Sequence, residues 1–257
     1  MPLSLVIIGV IITIVMGFGF GSFATMAVYR LPRNMPWIGD KPRCFMCKTP
    51  LNIIDYFSVF SYFIHKGKCR YCHKEYEASL GYFITELAIT ILLVLAFLQF
   101  YFSEMFILAT GVIVTSVILA VIDAEHKKIP AKVLISLLII ACIYRTYIDQ
   151  NIYGVIYGGI IGAIIALAIR YAYFYMSGQK EIGLDFTKWQ HTDRFVGPGF
   201  DYAKLFAICA IFLRPEKLLL FMALNSCIII LWLMIHKKSL RLGVILATTL
   251  TVFYICG

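Results

Sequence analysis

Four cysteines form two pairs, Cys44-Phe45-Met46-Cys47 and Cys69-Arg70-Tyr71-Cys72, separated by a 21-residue spacer. The arrangement fits a zinc knuckle, in which two short hairpins each offer two thiolates to one tetrahedral ion. Arg43, Lys48, Lys68 and Arg70 flank the pairs and favour the thiolate form. Disulfides and unpaired thiols are the competing readings. The segment that carries the pairs is expected in the cytoplasm, where disulfides are disfavoured, so the expected cofactor is a structural zinc on Cys44, Cys47, Cys69 and Cys72. Four protein ligands leave no open position for chemistry. Cys142, Cys209, Cys227 and Cys256 are scattered through apolar stretches and read as small hydrophobes.

Carboxylates inside apolar runs are the second chemical signal, because an ionisable group in a membrane span is costly. Asp123 lies in Val121-Ile122-Asp123-Ala124-Glu125, Asp201 in Gly199-Phe200-Asp201-Tyr202-Ala203-Lys204, and Glu86 in a third run. Two carboxyls held close together share one proton, so that one serves as base while the other stays an acid. Hydrolysis of a peptide by an activated water needs that division of labour. From spacing alone, a helix cap or a snorkelling end residue is the commoner explanation of an interfacial aspartate. Glu86 reads either as a buried hydrogen-bond partner near the site or as a helix-packing residue.

The elements that must position these groups are membrane helices. The 257-residue chain is 61% hydrophobic and only 14% charged, with a mean hydropathy of +0.86, which excludes a soluble globular domain. Runs long enough to cross roughly 30 Å of hydrocarbon recur. They predict spans over residues 3–29, 80–102, 105–124, 130–148, 152–176, 199–213, 217–235 and 240–256, the sixth being short. The fold class is therefore all-α, a polytopic bundle of about eight helices with a small zinc-binding cytoplasmic loop.

Lys and Arg alternate in density between the connections. Residues 30–74, Lys127 and Lys128, residues 180–194, and Lys237, Lys238 and Arg241 carry most of them; the alternate connections, Ser103-Glu104, Asp149-Gln150-Asn151 and 214–217, carry only Arg214 and Lys217. The positive-inside rule then puts the first set in the cytoplasm and both termini outside. The formal charge of +9 is thereby explained by topology and is not a nucleic-acid signal. Residues 1–29 lack a basic region before their long apolar run and end at Arg30 and Arg33, so they read as a retained first helix. Gly17, Gly19 and Gly21 in the first span, and Gly154, Gly158, Gly159 and Gly162 in the fifth, predict close helix packing. No internal repeat is evident. The domain division is residues 1–29 as first helix, 30–79 as cytoplasmic loop and 80–257 as transmembrane catalytic domain.

Several of these segments together resemble the type IV prepilin peptidases, or leader peptidases. They are Gly21-Ser22-Phe23, Tyr29-Arg30-Leu31-Pro32, the cysteine pairs, Ser61-Tyr62, Gly67-Lys68-Cys69-Arg70, Thr85-Glu86-Leu87, Ile122-Asp123, Ile129-Pro130 and Gly199 to Leu205. The resemblance covers nearly the whole chain in the expected order. It implies a membrane aspartic protease of the bacterial cytoplasmic membrane that removes a short basic leader from prepilin-like substrates at the cytoplasmic face. Many members also methylate the new amino terminus with S-adenosylmethionine. Asp123 and Asp201 carry over as the catalytic pair, and Cys44, Cys47, Cys69 and Cys72 as zinc ligands.

The second motif departs from the family pattern Gly-x-Gly-Asp-x-Lys, since Phe200 separates Gly199 from Asp201 and two residues precede Lys204. Asp185, in Gly183-Leu184-Asp185-Phe186-Thr187-Lys188, is the rival; Asp201 is preferred because an apolar span follows it directly. Residues 177–196 form a long connection, read as a solvated loop by default, with a substrate-facing insertion as the alternative. The other function classes are a non-catalytic pilus or secretion assembly protein of the same fold and a transporter. Carboxylates near one face rather than the bilayer midplane, and no repeated halves, weigh against transport.

Overall fold

In the computed structural model the described residues are 2–33, 35, 43–44, 47–50, 64, 66, 68–74, 79–126, 129–150, 152–177 and 200–213. They form six helices: α1 (Leu3–Arg30), α2 (Ser79–Phe100), α3 (Glu104–His126), α4 (Ala131–Asp149), α5 (Tyr153–Ser177) and α6 (Phe200–Phe212). Leu31–Arg33 continues α1 as a tighter turn. Four stretches, Leu3–Arg33, Gly81–Phe100, Glu104–His126 and Ala131–Asp149, are long and apolar enough to cross a bilayer. The chain is an integral membrane protein. The six expected spans that fall on these residues are all helical. The expected spans 217–235 and 240–256 lie outside the described residues.

Helices form because only a helix satisfies its own backbone in hydrocarbon. Where they stop is set by short turns. Tyr101 takes a left-handed conformation, φ 51°, and its N–H donates to the Phe97 carbonyl at 2.7 Å. Ser103 then opens α3, accepting the Phe106 N–H at its side-chain oxygen, 3.4 Å. Phe97, Phe102 and Phe106 close over this hairpin, with ring centroids 4.7 Å apart for the first pair and 5.4 Å for the last two. Gln150, φ 52°, makes the corresponding break after α4.

The chain divides into two compact units, one comprising Met1–Val133 with Thr251–Gly257 and the other Leu134–Leu250. In the first, α1, α2 and α3 pack on one another. Burial is inverted relative to a soluble helix: α1 exposes Leu5, Ile8, Ile11, Ile12 and Val15 and buries Gly9, Thr13, Gly17, Gly21 and Ala24. Small residues let the backbones approach where hydrocarbon removes any hydrophobic drive between helices, and large apolar side chains face lipid. A side chain on Gly17 would meet the Thr90 backbone at 2.7 Å, and one on Gly9 would meet the Phe97 ring. Gly19, expected in the same stripe, has nothing within 4 Å. Two residues turn a helix by about 200°, so it points away from the face that Gly17 and Gly21 share.

In the second unit α5 packs on α6 through the expected glycines. A side chain at Gly158 would lie 2.8 Å from the Ala210 carbonyl oxygen, and one at Gly162 2.8 Å from the Ala207 Cα. Gly154 instead lies against Arg145 and Asp149 of α4.

Candidate functional site

The cysteine pairs come together. All four sulfurs lie within 4.8 Å of one another, with Cys44 and Cys72 at 3.9 Å and Cys47 and Cys69 at 4.0 Å. A tetrahedron with metal–sulfur bonds of about 2.3 Å has edges of about 3.8 Å, so the donor set fits one metal ion. A disulfide needs about 2 Å, and the four are free thiols. Cys44 and Cys69 are buried, Cys72 half-buried and Cys47 exposed.

Local backbone bonds fold each pair the same way. The Cys44 N–H donates to Thr49 and the Lys48 N–H to Cys44, at 2.9 and 2.8 Å. The Cys69 N–H donates to Lys74 and the His73 N–H to Cys69, both at 2.9 Å. Lys48 and His73 occupy the same place in the two turns and both are left-handed, φ 56° and 55°. Residues 44–49 and 69–74 are therefore two copies of one turn, sharing Cys-x-x-Cys in sequence and the same backbone hydrogen bonds in structure. In the second knuckle the Tyr71 N–H donates to Cys69 Sγ at 3.4 Å. Hydrogen bonds with Thr49, side chain first and then backbone, hold the Cys47 thiol below its usual pKa, which favours the ligating thiolate.

Asp123 is completely buried in the last turn of α3, three residues before its end. Neither commonplace reading of a terminal aspartate accounts for it. A capping carboxylate belongs at a helix N-terminus, whereas the last turn carries the negative end of the dipole. A snorkelling side chain would reach solvent. Ile122 and Leu119 beside it are equally buried. The start of α2 lies alongside, since a side chain on Gly81 would come within 3.6 Å of Glu125 Oε1.

Glu86 is also fully buried, and its place is tied to Gly21. A Cβ at position 21 would sit 2.7 Å from Glu86 Cγ and 2.8 Å from its Cα. The glycine of Gly21-Ser22-Phe23 thus makes room for the glutamate of Thr85-Glu86-Leu87, a pairing that the two motifs read separately do not disclose. Counting helical rise from the Gly81–Glu125 contact puts Glu86 about 4–5 Å farther along the bundle axis than Asp123. Both carboxyls belong to the same three-helix core. Ser116, on α3, adds a buried hydroxyl with no hydrogen-bond partner among the described residues.

Asp201 is the second residue of α6, in the other unit; its side chain lies outside the described residues, as do Asp185 and residues 178–199. The apolar helix does begin at Phe200, with Lys204 exposed and Leu205 buried. Arg145 was not anticipated: it is almost buried near the end of α4 and its Nε lies 2.7 Å from Asp149 Oδ2. The charge is offset within one turn.

Residues 15–100 match the bacterial peptidase A24 N-terminal domain, and residues 110–234 match the type IV leader peptidase family. The first stretch carries the cysteine pairs and Glu86, the second Asp123 and Asp201. The chain belongs to the type IV leader peptidase family. A relative from Bacillus subtilis (strain 168), named prepilin leader peptidase/N-methyltransferase, is 29% identical over 124 residues, 48% of this chain and 49% of its own. One of the same name from Vibrio cholerae serotype O1 is 29% identical over 143 residues, 51% of this chain and 53% of its own. The chain thus spans about half the length of the curated relatives it matches. No solved structure matches it.

Proposed function

We propose that this leader-peptidase family member is a prepilin peptidase with Asp123 and Asp201 as its catalytic pair. The observation that carries the reading is the burial of Asp123 at the negative end of α3, inside the stretch that matches the peptidase family. Membership supports the activity; the relatives' names supply the substrate class.

In this mechanism one carboxylate takes a proton from water, and the water oxygen bonds to the scissile carbonyl carbon. The other carboxyl donates its proton to the carbonyl oxygen. Collapse of the tetrahedral intermediate breaks the C–N bond, and the leaving amine takes up the proton held by the base. The substrate is a prepilin-like precursor whose basic leader stays in the cytoplasm while its apolar segment lies in the bilayer. Cleavage then falls at the membrane boundary. N-methylation of the new amine from S-adenosylmethionine belongs to the same proposal, with no residue assigned to the methyl donor.

Cys44, Cys47, Cys69 and Cys72 would hold zinc in this reading, since four thiolate donors suit it and would leave it no open position for chemistry. It shapes residues 30–79 as a cytoplasmic loop between a first helix, 1–29, and a transmembrane catalytic domain, 80–257. Both termini face outward across the bacterial cytoplasmic membrane. Co-expression with a prepilin and mass spectrometry of the pilin N-terminus tests the reading. Wild type is expected to yield a shortened pilin, and Asp123→Ala and Asp201→Ala the intact precursor. Shortened pilin from both variants rejects the pair; intact precursor with wild type favours a non-catalytic assembly protein, the reading to which the altered Gly199-Phe200-Asp201 motif would then belong.

A further inference from the structure

The two knuckles are surrounded by positive charge. Residues 43–49 and 68–74 contain Arg43, Lys48, Lys68, Arg70 and Lys74, together with His73, and no Asp or Glu. Each of these six side chains is exposed. One dication on four thiolates contributes a net charge of minus two, so the five Lys and Arg still leave the knot cationic. Tyr71, within the second knuckle, is 47% exposed, and Ile64, four residues before Lys68, is 59% exposed. Lys66, two residues before Lys68, is exposed as well.

The knot is held near the bilayer by short tethers. Four residues separate Lys74 from Ser79, the first of α2, and the chain between those two Cα atoms, fully extended, spans at most about 18 Å. The other tether, from Arg33 to Arg43, leaves α1 at the same end, because α1 and α2 run antiparallel through the Gly9–Phe97, Gly17–Thr90 and Gly21–Glu86 contacts. Both anchors are ends of membrane-spanning helices.

From these observations we infer that the cysteine knot is a peripheral membrane module: its basic collar lies on anionic phospholipid headgroups of the bilayer its own helices span, with Tyr71 and Ile64 at the interface. A Lys or Arg near an anionic surface is worth about fivefold in affinity, so five acting together hold a tethered module down. Tyrosine and aliphatic side chains at headgroup level add to that attachment. A basic prepilin leader would be repelled by the same collar. The metal's purpose is then to present these charges from a rigid scaffold, and the leader must be received elsewhere. This inference rests on the knot and its tethers and stands whether or not the chain is a peptidase.

Hydrogen exchange of the full chain in nanodiscs tests it. Peptides covering 43–50 and 68–74 are compared in neutral phosphatidylcholine discs and in discs containing phosphatidylglycerol. Slower exchange is expected in the anionic discs, with the difference removed by high salt. The combined variant Lys48→Gln, Lys68→Gln, Arg70→Gln and Lys74→Gln should keep its metal, measured by elemental analysis, and lose the difference. Equal exchange of metal-loaded wild type in both discs overturns the inference, as does a difference that the variant retains. Protection that arises in neutral discs only on adding polyglutamate would also overturn it, and would assign the face to an acidic protein.

Discussion

The cysteine knot and the buried carboxylates sit at opposite extremes of how a site can be built. The knot closes within two six-residue turns whose backbone bonds aim four sulfurs at one point. Asp123 depends on three helices, and its proposed partner belongs to a separate compact unit. A local site survives changes elsewhere in the chain, whereas a distributed one fails when any supporting helix shifts. The proposed division of roles fits this contrast: thiolates to hold a shape, carboxylates to carry out the chemistry.

The largest effect that would sharpen this contrast is on cleavage. Asp123→Asn, nearly the same size, should lower prepilin cleavage by roughly a thousandfold or more while leaving metal content and helical circular dichroism at wild-type levels. Cleavage within tenfold of wild type would break the assignment of roles. Cys44→Ser should do the reverse. It removes one of four ligands, so elemental analysis should show loss of the metal and proteolysis should attack residues 30–79, while the helices remain folded in detergent.

Smaller effects test the packing between the two sites. Gly21→Ala forces a methyl into Glu86 and should cost about 1–3 kcal/mol in thermal or denaturant unfolding. Gly19→Ala meets nothing and should be neutral or stabilising by up to about 1 kcal/mol. Equal effects at the two positions would contradict the α1–α2 contact. Smallest of all, Lys48→Gly and His73→Gly should each relieve a left-handed residue by about 0.5–1 kcal/mol, seen as slower metal loss to a chelator. Faster loss would show that these side chains support the turns.

The six described helices from Leu3 to Phe212 were legible because apolar length is a strong signal that tertiary packing does not override. The cluster of four cysteines was legible because Cys-x-x-Cys spacing encodes a local turn. Pairings across helices were not. Gly21 with Glu86, and Gly154 with the Arg145–Asp149 pair, depend on helix rotation, which composition does not record. Gly19 was wrongly grouped with Gly17 and Gly21 for the same reason, since proximity in sequence is not proximity on a helix face. Asp123 was found from its position in an apolar run. Its burial in a last turn, which removes the capping and snorkelling explanations, needed the structure.

Replacing the metal tests the central claim most directly. Protein loaded with zinc or with cobalt, at matched occupancy in nanodiscs, is given saturating prepilin and followed in a single turnover. Equal rate constants for the two metals, with none measurable for Asp123→Asn in either form, are the predicted result. A rate that changes with the metal, or one that persists without the Asp123 carboxylate, would place the chemistry at the thiolates and contradict the separation of shape from catalysis.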